Sequence, residues 1–156
     1  MHARIVRICV SICHSTIPVV EDEDLGALLA RIMRRLMDAE HPLLRAHGLS
    51  MWAYATLTSL AEQPATSQLA LAKAIGYDKT RLIALLDELE HDGLIVRERD
   101  PADRRAQTVR LTPEGEARHA AAKADIRKME IELLADLPPD EQGALRAMLT
   151  KLAHPE

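Results

Sequence analysis

A mainly α fold carrying one small β-hairpin follows from three observations in the stretch Thr66 to Gly115, TSQLALAKAIGYDKTRLIALLDELEHDGLIVRERDPADRRAQTVRLTPEG. Two short segments with helical apolar spacing meet at Gly76. The second is stopped by His91-Asp92-Gly93. Two runs of β-like composition then flank a polar, basic turn. Helix, tight turn, helix and two-stranded wing in that order are the layout of a winged helix-turn-helix, whose second helix enters a DNA groove.

Each remaining element has its own signal. Leu25, Leu28, Leu29, Ile32 and Leu36 recur on one helical face behind the acidic run EDED. Carboxylates at that end suit the helix dipole. Pro42 disfavours helical geometry at His41, so this first helix is expected to kink or restart there, and Gly48 to end it. Ser50 caps a second helix to about Glu62, carrying Trp52, Tyr54, Leu57 and Leu60. Gln63-Pro64 ends that helix, and Thr66 is expected to cap a third with Leu69, Ala72 and Ile75 turned inward. Asp78 caps a fourth, whose apolar face is Leu82, Leu85, Leu86 and Leu89.

The runs Leu94 to Arg99 and Gln107 to Leu111 read as strands around DPADRRA. Thr112-Pro113 starts a fifth helix, cap followed by proline at the first helical position, reaching about Ala135. After Pro138-Pro139 a last helix carries Leu145, Met148, Leu149 and Leu152 on one face. The flanking helices have apolar stripes that the central unit is too small to cover, which points to pairing across a two-fold axis.

The bulk composition narrows the function classes. The chain has 156 residues, a single-domain size, with 47% hydrophobic and 28% charged residues, so it is globular. It has no Phe, and its core must be aliphatic. A net charge of −4 excludes a wholly basic nucleic-acid binder, so a DNA site must be a local patch. One such patch exists: from Arg97 to Arg110, five arginines (Arg97, Arg99, Arg104, Arg105 and Arg110) stand against Glu98, Asp100 and Asp103, a local +2. Two cysteines, Cys9 and Cys13, are too few for a secreted disulfide framework. No apolar run reaches membrane-spanning length. Residues 1–20 hold Arg4, Arg7 and a short apolar run from Ile8 to Ile12 without a clear cleavage site, and the protein is read as cytoplasmic. No nucleophile–base pair, phosphate loop or metal-ligand cluster has sensible spacing, so neither catalysis, a metal nor a cofactor is expected.

The segment from about Leu49 to Gly115 resembles the MarR family of dimeric winged-helix transcriptional regulators. The resemblance rests on Gly76, on Asp87 to Glu90 followed by His91-Asp92-Gly93-Leu94-Ile95, and above all on DPADRR followed by VRLTPEG. It implies a homodimer on double-stranded DNA, acting as a repressor on a pseudo-palindromic operator. The DNA-binding candidates are Thr66, Ser67, Asp78, Lys79, Thr80, Arg81 and Ala84 on the two central helices, and Arg97, Arg99, Asp103, Arg104 and Arg105 on the wing. The fourth helix would lie in the major groove, and Asp103-Arg104-Arg105 would reach the minor groove, where arginine suits the narrow A·T-rich geometry. The first turn of that helix, Asp78-Lys79-Thr80-Arg81, departs from the commonest family pattern, as does Ala84.

The resemblance also implies a small phenolic or aromatic effector near the junction of the first two helices, where His41, His47, Trp52 and Tyr54 stand. Trp52 and Tyr54 are equally consistent with ordinary core and interface positions. Cys9 and Cys13, four apart, would share one face if helical and make an oxidant-sensing regulator the alternative within this class. A winged helix used only for protein–protein contact is the alternative outside it. In domain terms, 1–20 is an extension of unknown role and 21–156 a single domain, with 49–112 the winged helix-turn-helix and 21–48 and 113–156 the dimerisation helices.

Overall fold

A computed structural model describes residues 24–63, 67–99 and 107–153. Six helices and one hairpin run in the order α1 (Leu25–Ala46), α2 (Met51–Glu62), α3 (Gln68–Ile75), α4 (Lys79–His91), β1 (Ile95–Arg99), β2 (Gln107–Leu111), α5 (Pro113–Leu133) and α6 (Pro139–Ala153). The mainly α winged-helix architecture expected from the sequence is the one observed. Cys9 and Cys13 lie outside the described residues.

Side-chain caps set most helix starts, because the first N–H groups of a helix have no partner within it. The carboxylate of Asp24 accepts from the Ala27 N–H at 2.8 Å, and the Ser50 hydroxyl from Ala53 at 3.1 Å. The third helix corrects the sequence expectation twice. Its cap is Ser67, whose hydroxyl accepts from Ala70 at 3.1 Å, and Thr66 lies outside the described residues. Leu69 points to solvent, while Leu71 and Ala72 are the buried pair. An eight-residue helix docks by a narrow stripe, and Leu69 and Leu71, about 200° apart around it, cannot both lie on that stripe.

In the first helix, of the expected kink or restart at Pro42, the restart does not occur. Proline there removes one N–H, yet the helix end is held by tertiary packing and capping. Leu44 and Leu49 are buried, and the His47 N–H reaches the Leu44 carbonyl at 3.1 Å. Burying two leucines contributes roughly 3–6 kcal/mol, enough to outweigh the roughly 3 kcal/mol cost of an interior proline.

The core lies where α2, α3, α4, the hairpin and the middle of α5 meet. Leu57, Leu82, Leu86, Leu94 and Val109 are fully buried there. The hairpin is antiparallel, pairing Ile95 with Leu111, Arg97 with Val109 and Arg99 with Gln107. Directly opposed residues share a face, so Ile95, Val109 and Leu111 seal the core, whereas Val96, Glu98, Thr108 and Arg110 form the other face.

The wing is welded to α5 by close backbone approach. The Thr112 N–H donates to the Leu94 carbonyl at 3.1 Å, and its hydroxyl donates to the Gly93 carbonyl at 2.6 Å while accepting from Gly115. A Cβ at Gly115 would sit 1.9 Å from the Leu94 carbonyl oxygen. Only glycine lets the helix and the hairpin base approach this closely.

Candidate nucleic-acid interface

The turn between α3 and α4 sets the aim of the fourth helix. Gly76 adopts φ +65°, a left-handed conformation that lets Tyr77 N–H return to the Ala72 carbonyl at 2.9 Å. The Tyr77 ring stacks on Trp52 of α2, centroids 4.2 Å apart. Asp78 then caps α4 by accepting from the Arg81 N–H at 3.0 Å. Its carboxylate is thereby committed to starting the helix.

The buried side of α4 is Leu82, Leu85, Leu86 and Leu89, as the spacing predicts. Lys79, Thr80, Arg81 and Ala84 are all exposed on its outward side. Lys79 and Arg81 form no ion pair among the described residues, so their donors face solvent from a rigid platform. The outward stripe Thr80, Ala84 and Asp87 follows i, i+4, i+7 spacing. The exposed face is thus basic in its first turn and acidic further on, where Asp87 and Glu88 stand.

On the wing, Arg97 and Arg110 are engaged within the protein. Arg97 occupies the inner face of the hairpin, with its side chain only 19% exposed. Its Nε donates to Glu90 at 2.9 Å, a terminal nitrogen lies 2.7 Å from Asp87, and its backbone N–H donates to Glu90 at 3.2 Å. The guanidinium hydrogen bond holds the Glu90 carboxyl below the usual carboxylate range. On the outer face, Arg110 makes a two-pronged pair with Glu98, at 2.6 and 3.1 Å. Asp103, Arg104 and Arg105 lie outside the described residues, as does the side chain of Arg99.

Comparison with known proteins places this geometry. The family model described as "MarR family" matches residues 49–106. The transcriptional repressor CouR, solved on a 23-mer DNA duplex, is 32% identical, with a TM-score of 0.75 over 84% of this chain and 93% of that one. A MarR-family transcriptional regulator from Rhodococcus sp. RHA1 is 30% identical, with a TM-score of 0.77 over 89% and 98%. The chain belongs to the MarR family.

Another structure, Rv2887 from Mycobacterium tuberculosis in complex with DNA, is 27% identical, with a TM-score of 0.75 over 85% and 100%. CouR from Rhodococcus jostii RHA1 has also been solved with p-coumaroyl-CoA, and Rv2887 with salicylic acid. MarR-family proteins are DNA-binding transcriptional regulators, and this chain is a regulator rather than an enzyme. Among the described residues, no helix is long and apolar enough to cross a membrane.

The four effector candidates of this MarR-family chain do not converge. His41 lines a shallow cleft of about 310 Å³ with Arg45, Leu49, Ser50 and Met51. His47 pairs across to Asp125 of α5 at 2.8 Å. Trp52 is turned toward Tyr77 at the helix-turn-helix corner, whereas Tyr54 lies on the opposite side, its ring 5.5 Å from that of His119. Residues two apart on a helix point about 200° apart, so one pocket cannot easily take both.

Sequence reading missed the groups gathered around Tyr54. His119 is buried, with Nε2 3.0 Å from the Thr58 hydroxyl. Burial lowers its pKa, helped by nearby Lys123. Burial likewise raises the Glu40 carboxyl, with Glu130 adding to it, and raises the Tyr54 phenol. A signal existed: Gly115, His119, Ala122 and Ile126 lie on one helical face, and all four are buried.

Proposed function

We propose that this regulator is a cytoplasmic homodimeric repressor reading a pseudo-palindromic duplex operator. Residues 49–112 form the DNA lobe, and the helices in 21–48 and 113–156 supply the dimer contact. Lys79, Thr80, Arg81 and Ala84 face the major groove, while Asp103, Arg104 and Arg105 serve the adjoining minor groove. Ser67, the N-cap of α3, and Thr66, the residue before it in sequence, contact the phosphate backbone in this reading. The observation that carries the reading is the Asp78-capped α4, with a basic first turn that forms no ion pair among the described residues and is held outward by a leucine core. The likeness to CouR on duplex DNA supports it.

Dimerisation is supported by exposed apolar side chains. On α1, Leu25, Leu29, Ile32 and Met33 are each at least half exposed, as are Met148 and Leu152 on α6. An exposed apolar stripe such as Leu25, Leu29 and Ile32, spaced i, i+4 and i+7 on α1, marks an interface. Two recognition helices related by a two-fold axis would meet major grooves about 10 base pairs apart.

A small aromatic effector, bound among α1, α2 and α5, modulates the affinity. The salicylic acid complex of Rv2887 supports that class of ligand, and the partly buried Tyr54 and Thr58 with the buried His119 offer the few directed contacts such a site needs. Selection from a random duplex pool, followed by titration across salt concentrations, tests the reading. A recovered inverted repeat with steep salt dependence is expected. Binding that is absent or insensitive to salt would return the protein to the class of winged helices that contact only other proteins.

A further inference from the structure

Arginine on a wing strand suggests a phosphate contact, but Arg97 is aimed the other way. It lies on the inner face of the hairpin, opposite Val109 and two residues from buried Ile95. Its side chain reaches back seven residues to Glu90 and ten to Asp87, both on α4. Its own backbone N–H also donates to Glu90, so the contact holds the strand as well as the side chain. The fork geometry of guanidinium makes such a contact directional, where an ammonium would act as a point charge.

The two carboxylates it holds are not neutral bystanders. Asp87 continues the outward stripe of Thr80 and Ala84, the face proposed to meet DNA, and is 58% exposed. A bare carboxylate there would repel phosphate. Resting on the DNA-binding reading above, we propose that Arg97 is a positioning residue. It fixes the angle between wing and recognition helix by clamping Glu90 and Asp87, and makes no phosphate contact itself.

The clamp makes a prediction opposite in sign to simple electrostatics. Replacing Asp87 and Glu90 together by alanine removes two negative charges beside the DNA, and charge alone would tighten binding. The clamp instead predicts binding to a selected operator about five- to tenfold weaker, because the wing loses its anchor. Arg97→Met keeps an unbranched apolar stem on the inner face and removes the guanidinium. It should weaken binding about tenfold in the unaltered background but less than twofold in the D87A/E90A background. The slope of log affinity against log salt should stay unchanged, since no phosphate partner is removed.

Thermal melts of each variant separate loss of fold from loss of aim. If Arg97→Met fails to fold, the surface variant D87A/E90A decides by its sign alone. Tighter binding by D87A/E90A, or an equal Arg97→Met loss in both backgrounds with a shallower salt slope, would overturn the clamp. The unaltered protein failing to bind any duplex would overturn the DNA-binding reading and the clamp together.

Discussion

The DNA lobe and the flanking helices are built from the same aliphatic residues and bury them differently. Around α2, α3, α4 and the hairpin, each leucine predicted to face inward on α4 is buried within the one chain. The first half of α1 has a cleaner apolar stripe by sequence, yet Leu25, Leu28, Leu29 and Ile32 all remain exposed. On α6, Met148, Leu149 and Leu152 are exposed too, and among the described residues that helix has no buried position. Hydrophobic spacing therefore specifies that a face is apolar, and leaves open whether the chain itself covers it. The lobe covers its own apolar face within one chain, whereas the first half of α1 and α6 leave theirs exposed.

The largest effect should come from attacking the self-sufficient half. Gly115→Ala places a methyl 1.9 Å from the Leu94 carbonyl oxygen, and both elements are backbone there. Neither can yield without separating the wing base from α5, so a loss of about 4 kcal/mol or more is expected. Calorimetric or circular-dichroism melting will check it. A variant melting within a few degrees of the parent would mean that the contact is not rigid.

Attacking the other half should leave the lobe folded. Leu29→Glu with Ile32→Glu puts carboxylates on the uncovered stripe of α1. Each buried apolar side chain at an interface is worth about 1.5–3 kcal/mol, so the proposed dimer should become a monomer in sedimentation velocity. The near-ultraviolet signal of Trp52, stacked on Tyr77 inside the lobe, should persist. A dimer that survives both substitutions would show that the stripe is not the contact. Loss of the Trp52 signal would show that the two halves are not independent.

Within the lobe, Arg81 and Arg105, unlike Arg97, should behave as separate electrostatic partners of the duplex. Arg81→Ala and Arg105→Ala are each expected to flatten the salt dependence of operator binding by about one unit of slope. An unchanged slope for Arg81→Ala would move the interface off the first turn of α4.

What the sequence conveyed, and what it withheld, follows the same division. Caps and punctuation were readable because they act locally: Ser50, Asp78 and Thr112 accept from the third residue onward, and Gly76 makes its turn with near neighbours. The leucines of α4 were readable because a helix with one strongly apolar face has one way to dock. Failures came where tertiary packing decides. Pro42 was expected to kink or restart α1, and the helix runs through it without restarting, with Leu44 and Leu49 buried beyond it. Leu69 and Leu71 are both plausible core residues in a short helix, and docking selects Leu71.

Arg97 was counted with the basic wing because composition ignores direction, although its in-phase spacing with Ile95 already placed it on the inner face. The effector candidates were grouped by closeness in sequence, whereas helical phase sends Trp52 and Tyr54 to opposite sides of α2.

The smallest expected effect tests how tightly α5 is joined to the lobe through His119. Burial holds this imidazole below its ordinary pKa of 6.5, so the folded protein keeps it neutral at a pH where the unfolded chain would take up a proton. Above about pH 6.5 both states are neutral and the group contributes no pH dependence. As the pH falls from there toward the lowered folded value, the unfolded chain binds more protons, and stability declines. His119→Gln preserves a hydrogen-bond partner for the Thr58 hydroxyl and cannot titrate. Its melting temperature should therefore change less than that of the parent between neutral and mildly acidic pH. Two parallel curves would mean that His119 is protonated as readily in the folded protein as in the unfolded chain. The α2–α5 junction would then be open to water, and the line between the self-sufficient lobe and the flanking helices would run through α2 rather than beyond it.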